Sequence, residues 1–333
     1  MNVENRPGGA PAPEACREEI KATQSSAADM ARDILRLKKE KDAVILAHYY
    51  QRPEIQDLAD YIGDSLALAR IATTLPNKVI VLCGVHFMGE TAKILCPDKT
   101  VIVPDTSAGC SLADSCPAPE FEAFIKEHPG YTVISYVNTS AAVKALTDVV
   151  VTSGNARKIV ESFPADEKII FGPDRNLGNY INSVTGRSML LWDGACHVHE
   201  QFSLEKIVAL KKEHPEALVL AHPECPKHLL MVADKVGSTA VLLDYAVNSP
   251  AREFIVATES GILHKMRQAC PDKTFIPAPP NDSTCACNEC SFMKLNTLSK
   301  LLESLRTLSP QVEVDAAIID RARRPIERML SLS

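Results

Sequence analysis

The chain repeats itself three times, and that limits its fold more than any other feature. Three apolar, strand-like runs, AVILAH, TVISY and ALVLAH, end at His48, Tyr136 and His222, which are 88 and 86 residues apart. Seventeen residues after each comes a small hydroxyl residue within two residues of a Gly: Ser65, Ser153 and Thr239. A loop cysteine follows the last expected strand of each repeat, at Cys110, Cys196 and Cys290, 60 to 68 residues after the first marker. Three similar units of roughly 85 residues can stack as beads or close around a pseudo-threefold axis. Polar residues at equivalent strand ends favour the axis, because it brings them into one place.

Within the repeats, short apolar runs at 43–47, 79–82, 100–103, 132–137, 149–151, 168–171, 188–191, 218–221, 240–243, 254–257 and 274–276 read as strands. Helical patterns lie between most of them, as where Met30, Ile34 and Leu37 recur at helical spacing. Near-continuous apolar strands alternating with helices imply parallel sheets covered on both faces. The expected fold is α/β, with three homologous three-layer α/β/α domains around a pseudo-threefold axis. The expected boundaries are a tail at 1–26, a first repeat at 27–115 that also takes the terminal helices at 320–333, a second at 116–204, and a third at 205–319 with a Cys-rich loop. The Pro- and Gly-rich start of the tail argues against regular structure there.

Composition narrows the function. No apolar run approaches the ~20 residues that span a bilayer, so no membrane partner is expected. A net charge of -6 without a Lys/Arg block gives no footprint for nucleic acid. Eleven cysteines are too sparse for a secreted disulfide scaffold, and the first 25 residues lack an apolar leader, so a reducing cytoplasm is expected. Neither GxGxxG nor GxxxxGK[ST] occurs, which argues against an ordinary dinucleotide or NTPase site.

Ligands of open α/β sheets bind beyond the carboxyl ends of the strands, where His48, Tyr136, Asn138, His222 and Glu224 are expected to share a pocket. Threefold packing also gathers Cys110, Cys196 and Cys290 into a platform of soft thiolates suited to zinc, Cu(I) or an iron–sulfur cluster. A [4Fe-4S] cluster on three cysteines leaves one iron open as a Lewis acid. Ser65, Ser153 and Thr239 read either as helix N-caps or, given their equal spacing, as a cradle for a phosphate or carboxylate. Glu224, in a stiff loop beside Pro223, is the candidate general base, and Tyr50 a hydrogen-bond donor to substrate. His197 and His199 in Cys-His-Val-His are candidate zinc ligands or proton carriers. Cys83, Cys96, Cys225 and Cys270 read as core thiols, and Cys116 as a loop thiol. The run Cys285-Ala-Cys287-Asn-Glu-Cys290 supports a competing reading, a zinc-binding regulatory or structural module built on that loop with His197 or His199. A sugar-phosphate binding protein without catalysis is a third.

The motifs ILAHYYQ (45–51), GDSL (63–66), AGCSLADSC (108–116), YVNTSA (136–141), TSGNA (152–156), FGPDRNLG (171–178), CHVH (196–199), AHPEC (221–225), GST (237–239) and CACNEC (285–290) together resemble the quinolinate synthase family. The resemblance runs from about residue 30 to the C-terminus. It implies three α/β domains around an oxygen-sensitive [4Fe-4S] cluster held by Cys110, Cys196 and Cys290. It implies condensation of iminoaspartate with dihydroxyacetone phosphate, losing phosphate and water, to make quinolinate for NAD biosynthesis. Substrate contacts implied are His48, Ser65, Tyr136, Asn138, Ser153, His222, Glu224 and Thr239, with Val137, His199 and Pro223 beside them. Glu224, His222, Tyr50 and His48 carry the implied proton transfers. A functional link to an enzyme that oxidises L-aspartate follows from the substrate. The Cys-rich loop departs from the family's CxxCxxC, because its first gap is one residue.

Overall fold

The computed structural model describes residues 14–282 and 288–333. It contains three four-stranded parallel sheets of the same strand order. The first is built from β1 (Ala43–His48), β2 (Tyr61–Gly63), β3 (Val79–Cys83) and β4 (Thr100–Ile102). The second holds β5 (Thr132–Tyr136), β6 (Val149–Val151), β7 (Ile169–Gly172) and β8 (Leu190–Leu191). The third holds β9 (Leu218–Ala221), β10 (Lys235–Val236), β11 (Glu253–Ala257) and β12 (Thr274–Pro277). In each unit the first strand lies between the second and third, and the fourth is on the edge. Register repeats as well: Leu46 pairs with Tyr61, Ile134 with Val149, and Leu220 with Lys235.

Pleating explains the continuous apolar runs. All six residues of β1 are buried. Ala43, Ile45 and Ala47 face one way, onto Ile34 and Leu37 of the helix Glu14–Glu40 and Leu301 and Leu305 of the helix Leu298–Thr307. Val44 and Leu46 face a larger core shared with the second unit and closed by Ala322, Ile326 and Met329 of the helix Ala316–Leu332. That last helix therefore spans the first two units. The chain is already back on the first sheet at the helix Leu298–Thr307, ahead of residue 320.

A carboxylate clasp fixes the first two strands of every unit. Asp60, Asp148 and Asp234 accept the backbone N–H of Ile45, Val133 and Val219 at 2.8, 2.8 and 2.7 Å. Each aspartate returns its own N–H to the carbonyl of the same residue at 2.8–2.9 Å. Behind the strand ends, Gln56 and Lys144 hold equivalent positions and bond to the carbonyls of Gln51 and Thr139. The loops that carry the strand-end residues are thus anchored from below.

Three expectations change. Residues 240–243 are not a strand but lie in the helix Thr239–Asn248, because Ser238 caps that helix by accepting Val241 N–H. The true second strands of the first and third units, β2 and β10, are three and two residues long, too short to show a period. Helix also reaches back to Glu14 into the expected tail, since Glu-Ala-Cys-Arg-Glu-Glu-Ile-Lys after Pro13 is a run of good helix formers.

Candidate active site

The carboxyl ends of the three sheets face one cavity of about 730 Å³, part of it open to solvent. His48, Tyr50, Ser65 and Cys110 line it from the first unit, and Tyr136, Val137, Asn138, Ser153, Cys196 and His199 from the second. His222, Glu224, Thr239 and Cys290 line it from the third. Every expected site residue is therefore brought together except Pro223, which is buried between His222 and Glu224 without lining the cavity. His197 lines it too, with Nδ1 2.7 Å from Ser111 Oγ, so the residues that follow Cys110 and Cys196 touch.

His48 and His222 are set alike. Nδ1 of His48 accepts Tyr50 N–H at 3.1 Å, and Nδ1 of His222 accepts Glu224 N–H at 3.4 Å. With Nδ1 occupied as an acceptor, a neutral ring carries its proton on Nε2, and His222 Nε2 lies 3.1 Å from Ser153 Oγ. Burial first, with the Lys294 ammonium adding to it, holds His48 down at about 3. Burial likewise lowers His222 to about 3, against the pull of Glu224. Both rings are therefore uncharged donors at neutral pH.

The hydroxyl residues are not the helix caps. Asp64 caps the helix Ser65–Thr74 by accepting Ala67 N–H at 2.9 Å, and Ser238 caps the helix Thr239–Asn248. Ser65 and Thr239 occupy the first helical position of their helices and line the cavity, where Thr239 Oγ1 meets the Tyr50 phenol. Ser153 lies ahead of the helix Ala156–Glu161 and bonds to His222.

Glu224 is at the centre of a buried chain. Its Oε2 lies 2.7 Å from His199 Nδ1 and 3.5 Å from His222 Nδ1. The His199 contact has ion-pair distance without hydrogen-bond alignment, and Glu224 Oε1 has no hydrogen-bond partner among the described residues. Burial opposes ionisation of this carboxyl, but His199, 2.7 Å away, outweighs it and holds Glu224 well below the usual carboxylate range. His199 Nε2 continues to Thr258 Oγ1 at 3.0 Å, Thr258 to the Tyr50 phenol at 2.7 Å, and Tyr50 to Thr239 Oγ1 at 3.2 Å. Burial, and then the Glu224 charge, push the phenols of Tyr50 and Tyr136 well up, so both keep their protons.

The three thiols are half-buried and line the same cavity. Burial pushes Cys110 up to about 12, Cys290 up to about 11, and Cys196 well above the usual thiol range. After burial, the Glu224 charge does most to raise Cys196, and the neighbouring Cys110 and Cys290 add to it. Such thiols stay protonated until a metal takes the place of the protons. Among the described residues, Cys196, His199 and Glu224 bring ligand atoms within 4.8 Å of one another, a group able to hold a metal ion. Cys285 and Cys287 of the competing zinc reading lie outside the described residues.

Sequence reasoning missed Thr258, Asp174, Glu259 and Lys294. Glu259 lines the cavity, and the Lys294 ammonium joins its Oε1 at 2.9 Å to the Tyr50 carbonyl at 2.7 Å. Of these, only Asp174 sits in a motif that stands out, FGPDRNLG.

Comparison with known proteins agrees with this architecture. The profile of the family NadA, quinolinate synthetase A protein, matches residues 32–331. A quinolinate synthase of Synechococcus sp. is 56% identical over 306 residues, covering 92% of this chain and 96% of that protein. One of Nostoc punctiforme is 57% identical over 305 residues, with 92% and 94% covered. One of Chloroherpeton thalassium is 54% identical over 305 residues, with 92% and 95% covered. Matched by that profile over residues 32–331 and by these relatives over 92% of its length, the protein belongs to the quinolinate synthetase A family.

Proposed function

We propose that the central cavity condenses iminoaspartate with dihydroxyacetone phosphate to quinolinate, with loss of phosphate and water, and that Cys110, Cys196 and Cys290 hold a [4Fe-4S] cluster there. One observation carries this reading: each repeat contributes one cysteine to a single cavity that it also lines with hydroxyl and imidazole groups. Three soft thiol ligands, one from each repeat and all lining that cavity, are the donor set of an iron–sulfur cluster with one open iron. Once bound, the cluster supplies an open iron as a Lewis acid.

The chain's own groups do the rest. Both reactants are anionic, and the cavity offers them donors rather than charges. Ser65, Ser153 and Thr239 bind phosphate or carboxylate oxygens. Neutral His48 and His222 donate from Nε2, which lets them polarise a carbonyl without giving up a full proton. Tyr136 and Asn138 complete the donor set, with Val137 packing beside them. Glu224 Oε1, lacking a partner, receives the proton removed during imine formation and isomerisation. Its carboxylate becomes a competent base once anionic reactants sit beside it and raise its proton affinity. The Tyr50 phenol gives its proton to the departing hydroxyl, which leaves as water, and regains one from Glu224 through His199 and Thr258.

Iminoaspartate hydrolyses readily, so an enzyme that oxidises L-aspartate is the expected supplier. All cysteines that the structure describes with side chains are free, which fits a reducing cytoplasm. No described helix is long and apolar enough to cross a membrane. Glu224→Gln in the anaerobically loaded enzyme tests the assignment. Quinolinate formation is expected to fall at least about 100-fold while iron content stays unchanged. Full turnover by this variant excludes Glu224 as the base, and reactant binding without turnover by the wild type returns the protein to a sugar-phosphate binder.

A further inference from the structure

Two of the three cluster cysteines are held from behind by a carboxylate at the same position in the fold. Two residues beyond β7 stands Asp174, and two residues beyond β11 stands Glu259, both with no exposed surface. Asp174 Oδ2 accepts the backbone N–H of Cys196 at 3.2 Å, and its Oδ1 caps the following helix at Leu177 N–H, 2.7 Å away. Glu259 Oε1 accepts the backbone N–H of Cys290 at 3.1 Å, and its Oε2 accepts Gly261 N–H at 2.7 Å. Gly261 must lack a side chain, because a Cβ there would lie 2.8 Å from both Glu259 Oε2 and the Tyr50 backbone. The equivalent residue of the first unit is Val85, which has no carboxylate, and there His86 N–H is bonded to the Ala108 carbonyl at 2.7 Å.

We propose that Asp174 and Glu259 are positioning residues that fix the Cys196 and Cys290 loops for the cluster, one device used twice across the repeats. The inference rests on the three-cysteine cluster assigned above. A cysteine ligand swings about its own backbone, so an amide tied to a buried carboxylate limits where the sulfur goes. Lys294 extends the Glu259 clasp to the Tyr50 carbonyl, which couples the third ligand loop to the first unit. Neither carboxylate needs to touch substrate for this.

Asp174→Ser and Glu259→Gln test it. Serine keeps a helix cap but cannot reach Cys196. Glutamine keeps the shape but offers one acceptor oxygen, where the N–H groups of Cys290 and Gly261 each require one. Each variant is loaded anaerobically and its visible cluster absorbance followed after a chelator is added, alongside thermal unfolding of the unloaded chain. Both are expected to bleach about 10–100-fold faster than wild type, the usual effect of losing a ligand's supporting partner. Bleaching at the wild-type rate overturns the inference, as does a fall in unloaded stability without faster bleaching. If Glu259→Gln fails to fold because Lys294 is left without its counter-charge, Glu259→Gln/Lys294→Met removes both charges and the same comparison decides. A wild-type chain that takes up neither iron nor sulfide refutes the cluster reading and this inference together.

Discussion

Thr258 is the sharpest place to perturb the proton chain, because it touches two proposed catalytic side chains without lining the cavity. Thr258→Val is nearly isosteric and removes one hydroxyl. Two buried hydrogen bonds go with it, 2.7 Å to the Tyr50 phenol and 3.0 Å to His199 Nε2. At about 0.5–1.5 kcal/mol net for each bond, the loss is about 1–3 kcal/mol. If that loss falls on the transition state, one decade per 1.36 kcal/mol gives a fall in kcat of about 5- to 150-fold. KM is expected to change little, since the hydroxyls and imidazoles that bind the reactants remain. Steady-state quinolinate formation by the loaded enzyme reads both constants, and Thr258→Ser serves as the rescue because it restores the hydroxyl and omits the methyl. A wild-type kcat for Thr258→Val refutes the chain from Tyr50 to His199. A serine variant as slow as the valine variant refutes it as well, since packing of the methyl would then be the cause.

Two further predictions concern the scaffold. Burial lowers the proton affinity of His48 to about 3, below that of the unfolded chain at 6.5, so between these values the unfolded state binds more protons. Stability from this group is therefore complete above about 6.5 and is lost as pH falls towards 3; urea midpoints against pH should show that slope, and His48→Gln should lessen it while His222 keeps its own share. An unchanged slope in the variant would assign the acid sensitivity elsewhere. Replacing Asp148 by Ala frees Val133 N–H and should cost about 1 kcal/mol in thermal unfolding, with replacement of Asp60, Asp148 and Asp234 together costing about three times as much. A triple variant no less stable than the single would show that the clasps are not independent.

Much of this protein is legible as spacing. His48, Tyr136 and His222 announce three units, and Ser65, Ser153 and Thr239 repeat at the same intervals and line the same cavity. The clasp residues Asp60, Asp148 and Asp234 repeat at the same 88 and 86 residue intervals, and comparing the units position by position would have found them. The same comparison corrects residues 240–243: a strand there would follow Thr239, whereas in the other two units the second strand precedes the hydroxyl. Length hid the rest of the sheet, since two residues of β10 carry no alternation. Thr258 and Glu259 follow a buried strand and look like any polar turn; their roles come from groups far along the chain, His199 and Lys294 among them. Contacts of that kind leave no periodic trace.

Iron and sulfide per chain, measured after anaerobic purification of wild type and of Cys110→Ser, test the central claim most directly. One cysteine from each unit predicts about four irons and four sulfides for wild type. It also predicts loss of both, and of quinolinate formation, when the first unit's ligand is removed. Full iron and sulfide in Cys110→Ser would contradict a site shared among all three repeats.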